Sequence, residues 1–271
     1  MLRNKSWEDL EFTDDYLFKA VLTKYPRICK KLLETILEVE IRELKYLSSE
    51  EEVKPQFESR GIRLDVYVED DSNTVYTVDM QVRNDGDEAL AKRMRYYQSA
   101  MDMDALKRGT RYKELKQSFV IFLCPFAFME GKRHLHTFRN YCKEDRDILL
   151  PDGSTKIIIA SKGMLDDVSY ELKCLLDYMN TKRVAGTLVK DIDDAVTTVK
   201  RLEKEAVRYM TLQDIIEDER EESFKQGISQ GISQGRIQNV KDMIKAGITS
   251  LEAVKASGIY TEQELAAIAS E

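Results

Sequence analysis

The chain has 271 residues, 42% of them hydrophobic and 34% charged, with a formal net charge of −7. That length buries a full core and leaves room for an appendage, while the acidic balance excludes a protein that coats nucleic acid by bulk electrostatics, because phosphate binding needs a local excess of Lys and Arg. No apolar run approaches the roughly 18 residues that span a membrane, and the first residues, MLRNKSWEDL, lack the apolar centre of a signal peptide, so a cytoplasmic protein with no membrane partner is expected.

Cys29, Cys124, Cys142 and Cys174 are widely spaced and form no CxxC pair, a pattern that suits neither a zinc knuckle nor a dense disulfide framework. In chain order, Thr13 is a candidate N-cap for a first helix with Asp14 and Asp15 in its first turn and Tyr16, Phe18, Val21 and Leu22 as buried contacts. Pro26 opens a second helix to about residue 38, with Ile28, Leu32, Leu33, Ile36 and Leu37 at helical spacing. Residues 41–47 read as a first strand, and SSEEEVKPQFESRG is a polar connection.

Residues 62–83, IRLDVYVEDDSNTVYTVDMQVR, read as two alternating strands joined by the turn-rich EDDSN. With the turn centred near Ser72, Ile62 faces Val82, Leu64 faces Met80, Val66 faces Val78 and Val68 faces Tyr76, giving one apolar face. The other face pairs Arg63 with Gln81, Asp65 with Asp79 and Tyr67 with Thr77. Two carboxylates so opposed repel unless neutralised. A divalent cation would neutralise them, because Mg²⁺ takes oxygen ligands from one or two carboxylates. The alternative is a solvated polar face whose carboxylates pair with Arg63 or Arg83.

The next helix, about 88–107, places Leu90, Met94, Tyr97, Met101 and Ala105 on one apolar stripe and Lys92, Arg93 and Tyr96 on another face, where they can contact phosphate. Residues 92–116 carry eight Lys or Arg against three acids. Gly109 closes the helix, and SFVIFLCPF suits a strand buried on both faces. RHLHTFRNY alternates, and LLPDGSTKIIIA reads as a hairpin around Pro151, Asp152 and Gly153. His134 and His136 share a strand face, a weak metal pattern without nearby Cys.

A helix at about 168–180 is followed by a long, charged helical stretch over about 191–222. Then comes QGISQGISQGR, with Gly227, Gly231 and Gly235 one turn apart if helical, either a flexible joint or a surface for close helix contact. The last helices break at Gly247 and Gly258. They carry too little positive charge to read DNA, and their apolar sides suggest a homo-oligomer through the C-terminal helices.

Four of these motifs, in order, resemble the PD-(D/E)XK nuclease superfamily, in particular the Rpn branch of recombination-promoting nucleases and putative transposases: DDYLFKAVL (14–22), the Asp-turn-Asp-x-Gln hairpin, RMRYYQSAM (93–101) and QSFVIFLCPF (117–126). The resemblance implies an α/β fold, with a mixed central sheet flanked by helices in a restriction-endonuclease-like core over 1–185. A charged helical extension over 186–226 and a glycine-repeat joint with a small helical tail over 227–271 complete the expected organisation.

The resemblance also implies a Mg²⁺- or Mn²⁺-dependent endonuclease acting on DNA, in recombination or mobile-element activity. Asp65, Asp79 and the Met80 carbonyl would hold the metal, Gln81 would act with them, and Asp15 (or Asp14) and Tyr97 would be accessory. Gln81 departs from the superfamily's usual Lys but is familiar in the Rpn branch, and Asp79 is shorter by one methylene than the commoner Glu; Arg83, Lys92 or Arg93 could restore the charge. The competing reading is a catalytically weak or inactive nuclease fold that serves as a nucleic-acid-binding or oligomeric regulatory scaffold.

Overall fold

The computed structural model describes residues 5–47, 65–106 and 111–270. Its site-bearing strands are the antiparallel hairpin of β2 (Val66–Asp70) and β3 (Val75–Met80). Its turn is built by one side chain: Asp70 Oδ1 accepts the backbone N–H groups of Ser72 and Thr74, and Oδ2 accepts the Tyr76 hydroxyl. Asn73 takes the left-handed conformation at φ 59°, which Asn tolerates. The ladder pairs Val66 with Val78, Tyr67 with Thr77 and Val68 with Tyr76, the register anticipated from the alternation. The pairs expected for Ile62, Arg63 and Leu64 lie outside the described residues.

The hairpin belongs to a mixed sheet that has six strands among the described residues. β1 (Leu44–Tyr46) pairs antiparallel with β2. β4 (Ser118–Cys124) runs parallel to β3, an arrangement that requires a crossover, and α3 (Asp87–Ala105) supplies it. β6 (Ser154–Ala160) is parallel to β4, and β5 (Leu135–Phe138) is antiparallel to β6. The expected hairpin around Pro151 is not formed. β6 pairs with β5 instead, while Leu149 bridges Tyr141 and Leu150 donates to Asn140. Gly153, at φ 73°, turns the chain there beside Gln117.

Two faces follow from the period-two alternation. Tyr67, Val75, Val120, Phe122 and Ile158 pack against Leu90, Met94, Tyr97 and Met101 of α3, so the face that carries Asp79 and Gln81 lies under this helix. Val66, Val68, Val78 and Met80 point the other way and are also buried. On that side α1 (Asp15–Lys24) packs on β2, and α2 (Pro26–Leu37), α4 (Tyr170–Thr181) and α5 (Thr187–Lys200) pack with it. The N-cap of α1 is Asp14 rather than Thr13, because the Asp14 carboxylate accepts from Glu11 N and Lys5 Nζ and sets the turn before the helix. The Glu171 carboxylate closes the start of α5 by accepting from Thr187 N and Leu188 N. The compact unit that holds the sheet therefore runs on to Ala206, beyond residue 185.

The second compact unit, Val207–Glu271, contains most of α6 (Glu203–Lys245), then α7 (Leu251–Ala256) and α8 (Glu262–Ala269). Helix α6 is continuous through the glycine repeat. Val240, Val254 and Ile268 form a small core with Ile237, Ile244, Leu251, Tyr260 and Leu265. A capping box between Thr261 and Glu264 starts α8, and the Arg236 guanidinium lies over the Tyr260 ring at 5.1 Å. On the final helices Val254 and Ile268 are thus buried against Val240, and Leu251 and Leu265 are partly buried beside them. No helix among the described residues is long and apolar enough to cross a membrane.

Candidate active site

Beyond the Val66–Val78 pair, the antiparallel register brings Asp65 beside Asp79. Asp79 stands level with Phe122 on β4, and Gln81 follows on the same face, its backbone N–H donating to Leu123 O. Both polar residues are closed over by α3: Asp79 is 3% exposed and Gln81 4%.

A chain of hydrogen bonds leads from these carboxylates to solvent. Gln81 Nε2 donates to Asp79 Oδ2 at 2.6 Å, and Gln81 Oε1 accepts from Arg93 Nη1 at 2.8 Å. This orientation of the amide is dictated by its neighbours, since a carboxylate only accepts and a guanidinium only donates. Arg93 Nε and Nη2 also donate to Tyr97 Oη at 3.3 and 3.0 Å, and Arg93 Nη2 lies 3.8 Å from Asp79 Oδ2. Tyr97 is held in turn by an edge contact with Phe122, ring centres 5.3 Å apart.

The electrostatics reflect this crowding. Asp65 is held well above the usual carboxylate range, first by burial, then by the hydrogen bond it shares with Asp79, then by the charges of Asp79 and Asp15, with Lys19 pulling the other way. Asp15, on the first turn of α1, opens to solvent, yet its carboxyl is also raised, by partial burial and then by the charge of Asp79, against the pull of Arg93. Burial and then Asp79 push the Tyr97 phenol up and the Cys124 thiol up to about 12. Cys124 is therefore an inert neighbour rather than a nucleophile.

The expected site residues divide into two groups. Asp65, Asp79, Gln81, Arg93 and Tyr97 converge, with Asp15 within electrostatic reach. Lys92, Arg93 and Tyr96 do not act as one face: Arg93 turns inward to Gln81, Lys92 pairs with Glu88 on the exposed side, and Tyr96 is partly exposed. Arg83 pairs with Asp85, so of the three candidates for the missing charge only Arg93 lies beside Asp79. The Met80 side chain is buried on the opposite face, leaving only its backbone at the end of β3. The histidines go elsewhere: His134 Nδ1 lies 2.9 Å from Ala160 O, and His136 packs on Phe128 and Phe138, with burial lowering its pKa.

Sequence reasoning missed Gln98, a buried polar residue on the α3 stripe that donates to Ser118 Oγ and Asp102 Oδ1. Its position four residues after Met94 was the available signal.

Among the described residues no three His, Cys, Asp or Glu side chains group closely enough to hold a metal ion. The carboxylates of Asp79, which is buried, and Asp65, which is half-buried, are nonetheless hard oxygen donors of the kind Mg²⁺ accepts from protein. These donors fit such an ion in kind. A family model described as PD-(D/E)XK nuclease family transposase matches residues 12–159. No curated protein and no solved structure matches the chain.

Proposed function

Because the chain belongs to the PD-(D/E)XK nuclease family transposases, we propose that it is a metal-dependent endonuclease that hydrolyses phosphodiester bonds of DNA in recombination or mobile-element activity. The observation that carries this reading is the connected run Asp65–Asp79–Gln81–Arg93–Tyr97, buried at Asp79, Gln81 and Tyr97 and opening to solvent at Arg93. Setting two carboxylates side by side with one of them buried costs folding free energy, and such sites are characteristically functional.

Asp65, Asp79 and the Met80 carbonyl would hold Mg²⁺ or Mn²⁺, which when bound polarises the phosphoryl group and makes water a competent nucleophile. Gln81 fixes the orientation of the Asp79 carboxylate. Arg93 provides the cation that the superfamily's usual Lys would bring, one residue removed: its guanidinium reaches Asp79 across the Gln81 amide, and its partly exposed side chain can meet the scissile phosphate's charge. Tyr97 holds Arg93 in that pose. Asp15 at the rim would orient water, and Lys92 and Tyr96 on the outer side of α3 would touch the DNA backbone further along. Two copies joined through their C-terminal regions would bring one site to each strand of a duplex.

The test combines plasmid nicking with metal binding. Asp65→Asn and Asp79→Asn should each abolish Mg²⁺-dependent nicking and Mn²⁺ binding by calorimetry while the fold persists. Retained nicking in either variant refutes the site. The competing scaffold reading rests on one observation: Asp79 is already satisfied by Gln81 and stands close to Arg93. It predicts DNA binding by the wild type that is indifferent to metal.

A further inference from the structure

We infer that the middle of α6 is a self-pairing surface on which two copies of this chain dock antiparallel, centred on Gly231. At about 100° per residue, Phe224, Gly227, Ile228, Gly231, Ile232 and Gly235 fall on one side of the helix. That side is uncovered: Phe224 is 70% exposed and Ile232 60%, and a Cβ added at any of the three glycines would meet nothing within 4 Å. The small core of the unit lies on the opposite side of α6, where Ile237, Val240 and Ile244 meet α7 and α8. The glycines are therefore not there to admit a neighbour from the same chain, although each weakens the helix relative to Ala.

The charges at the two ends of this face identify the occupant. Toward the N-terminus the face continues with Glu217 and Arg220, and toward the C-terminus with Gln238, Asp242 and Lys245. Glu217, Arg220 and Lys245 make no ion pair among the described residues, while Asp242 accepts only from Gln238 within its own helix. When a second copy is laid antiparallel about Gly231, Gly227 falls opposite Gly235, Arg220 opposite Asp242 and Glu217 opposite Lys245. Each pair occurs twice by symmetry. A parallel pairing instead sets Glu217 against Glu217 and Lys245 against Lys245, an arrangement that like-charge repulsion disfavours.

The glycines let the two backbones approach closely at the centre, and the Phe and Ile side chains beside them leave water. Residues 217–245 extend over roughly 42 Å at 1.5 Å per residue, long enough for both charge pairs to flank an apolar middle. The interface is thus isologous and closed, and it uses the shaft of α6 rather than the final helices. It stands apart from the nuclease reading, because its readout is mass rather than cleavage.

Sedimentation equilibrium of the full-length chain over a wide concentration range tests this. The wild type should form a two-chain species, and Gly231→Leu should reduce it to one chain with unchanged far-ultraviolet helix signal. Glu217→Lys and Lys245→Glu alone should each weaken self-association about tenfold, since a symmetric pair of exposed ion pairs is lost and replaced by repulsion. The two reversals in one chain should restore it. A one-chain mass at every concentration, a two-chain species that survives Gly231→Leu, or a double reversal no tighter than the singles overturns the inference.

Discussion

The hairpin and the glycine repeat invert the usual rule in opposite directions. At the end of β3, Asp79 and Gln81 are polar and inside, whereas on α6, Phe224, Ile228 and Ile232 are apolar and outside. Asp79 and Gln81 are tolerated inside because both find partners: the amide bridges carboxylate and guanidinium, and the guanidinium reaches the phenol. Exterior apolar groups find none in their own chain. The contrast teaches that a satisfied inversion marks chemistry held within a fold, and an unsatisfied one marks a surface that still has work to do with another molecule.

The widest separation between the two regions should come from removing one group in each. Arg93→Ala strips the buried Gln81 of a donor and Asp79 of a nearby cation, and is expected to cost about 1–3 kcal/mol together with all nicking. Phe224→Ser should change the stability of the isolated chain by less than about 0.5 kcal/mol. Urea titration of the two variants under conditions that keep the chain monomeric checks this, and equal costs would erase the contrast.

A charge placed into the inner chain should be nearly as disruptive. Lys at position 81 can only donate, and it would face the donors of Arg93, so Gln81→Lys is expected to lower nicking about tenfold or more. Adding Arg93→Gln should recover part of the loss, since the pair then has one cation and one amide in exchanged places. A single Gln81→Lys variant at least as active as wild type would mean that Arg93 is not the site's cation.

Titration offers a subtler probe. The raised Asp65 carboxyl binds its proton more tightly in the folded chain than in the unfolded one, so the stability it contributes is complete below the unfolded value of about 4. That contribution is lost as pH rises toward the folded value. Asp65→Asn should therefore flatten the decline of stability across the range above pH 4. The same proton competes with metal, so Mn²⁺ affinity of the wild type should rise with pH over that range and release protons on binding. Calorimetry in buffers of different ionisation enthalpy reads both.

The smallest expected effect is at Lys92, whose exposed pair with Glu88 is worth about 0.3–0.5 kcal/mol. Lys92→Ala should leave nicking chemistry intact while lowering the slope of log DNA affinity against log salt by about one if it touches a phosphate. An unchanged slope would make the outer side of α3 a solvated helix face.

Much of the inner region was legible because strand alternation is strict. Val66, Val68, Val78 and Tyr76 fixed the register, and with it the meeting of Asp65 and Asp79. What alternation cannot report is which helix arrives on which face. The hairpin's polar side therefore read equally well as solvated, and Arg93 was grouped with Lys92 and Tyr96 by helical spacing alone, when its long side chain instead turns back across Tyr97 to Gln81. Around Pro151 the turn residues were recognised but their partner was not, because β5 competes for β6 from further back in sequence. In the tail, the apolar sides of the last helices were visible, but the sequence does not show that Val254 and Ile268 close on Val240 within one chain, which leaves the glycine side of α6 as the uncovered one.

Asp70 gives the hairpin a temporal role. One carboxylate gathers Ser72, Thr74 and Tyr76 around itself, so the turn is complete before any distant segment arrives. Local hairpins close in about 1–10 μs, whereas the parallel union of β3 with β4 must wait for the whole α3 crossover and bears the entropy of that longer loop. The contact that aligns the two aspartates is thus the short-range one of the sheet, and the pairing of β3 with β4 across α3 is the long-range one.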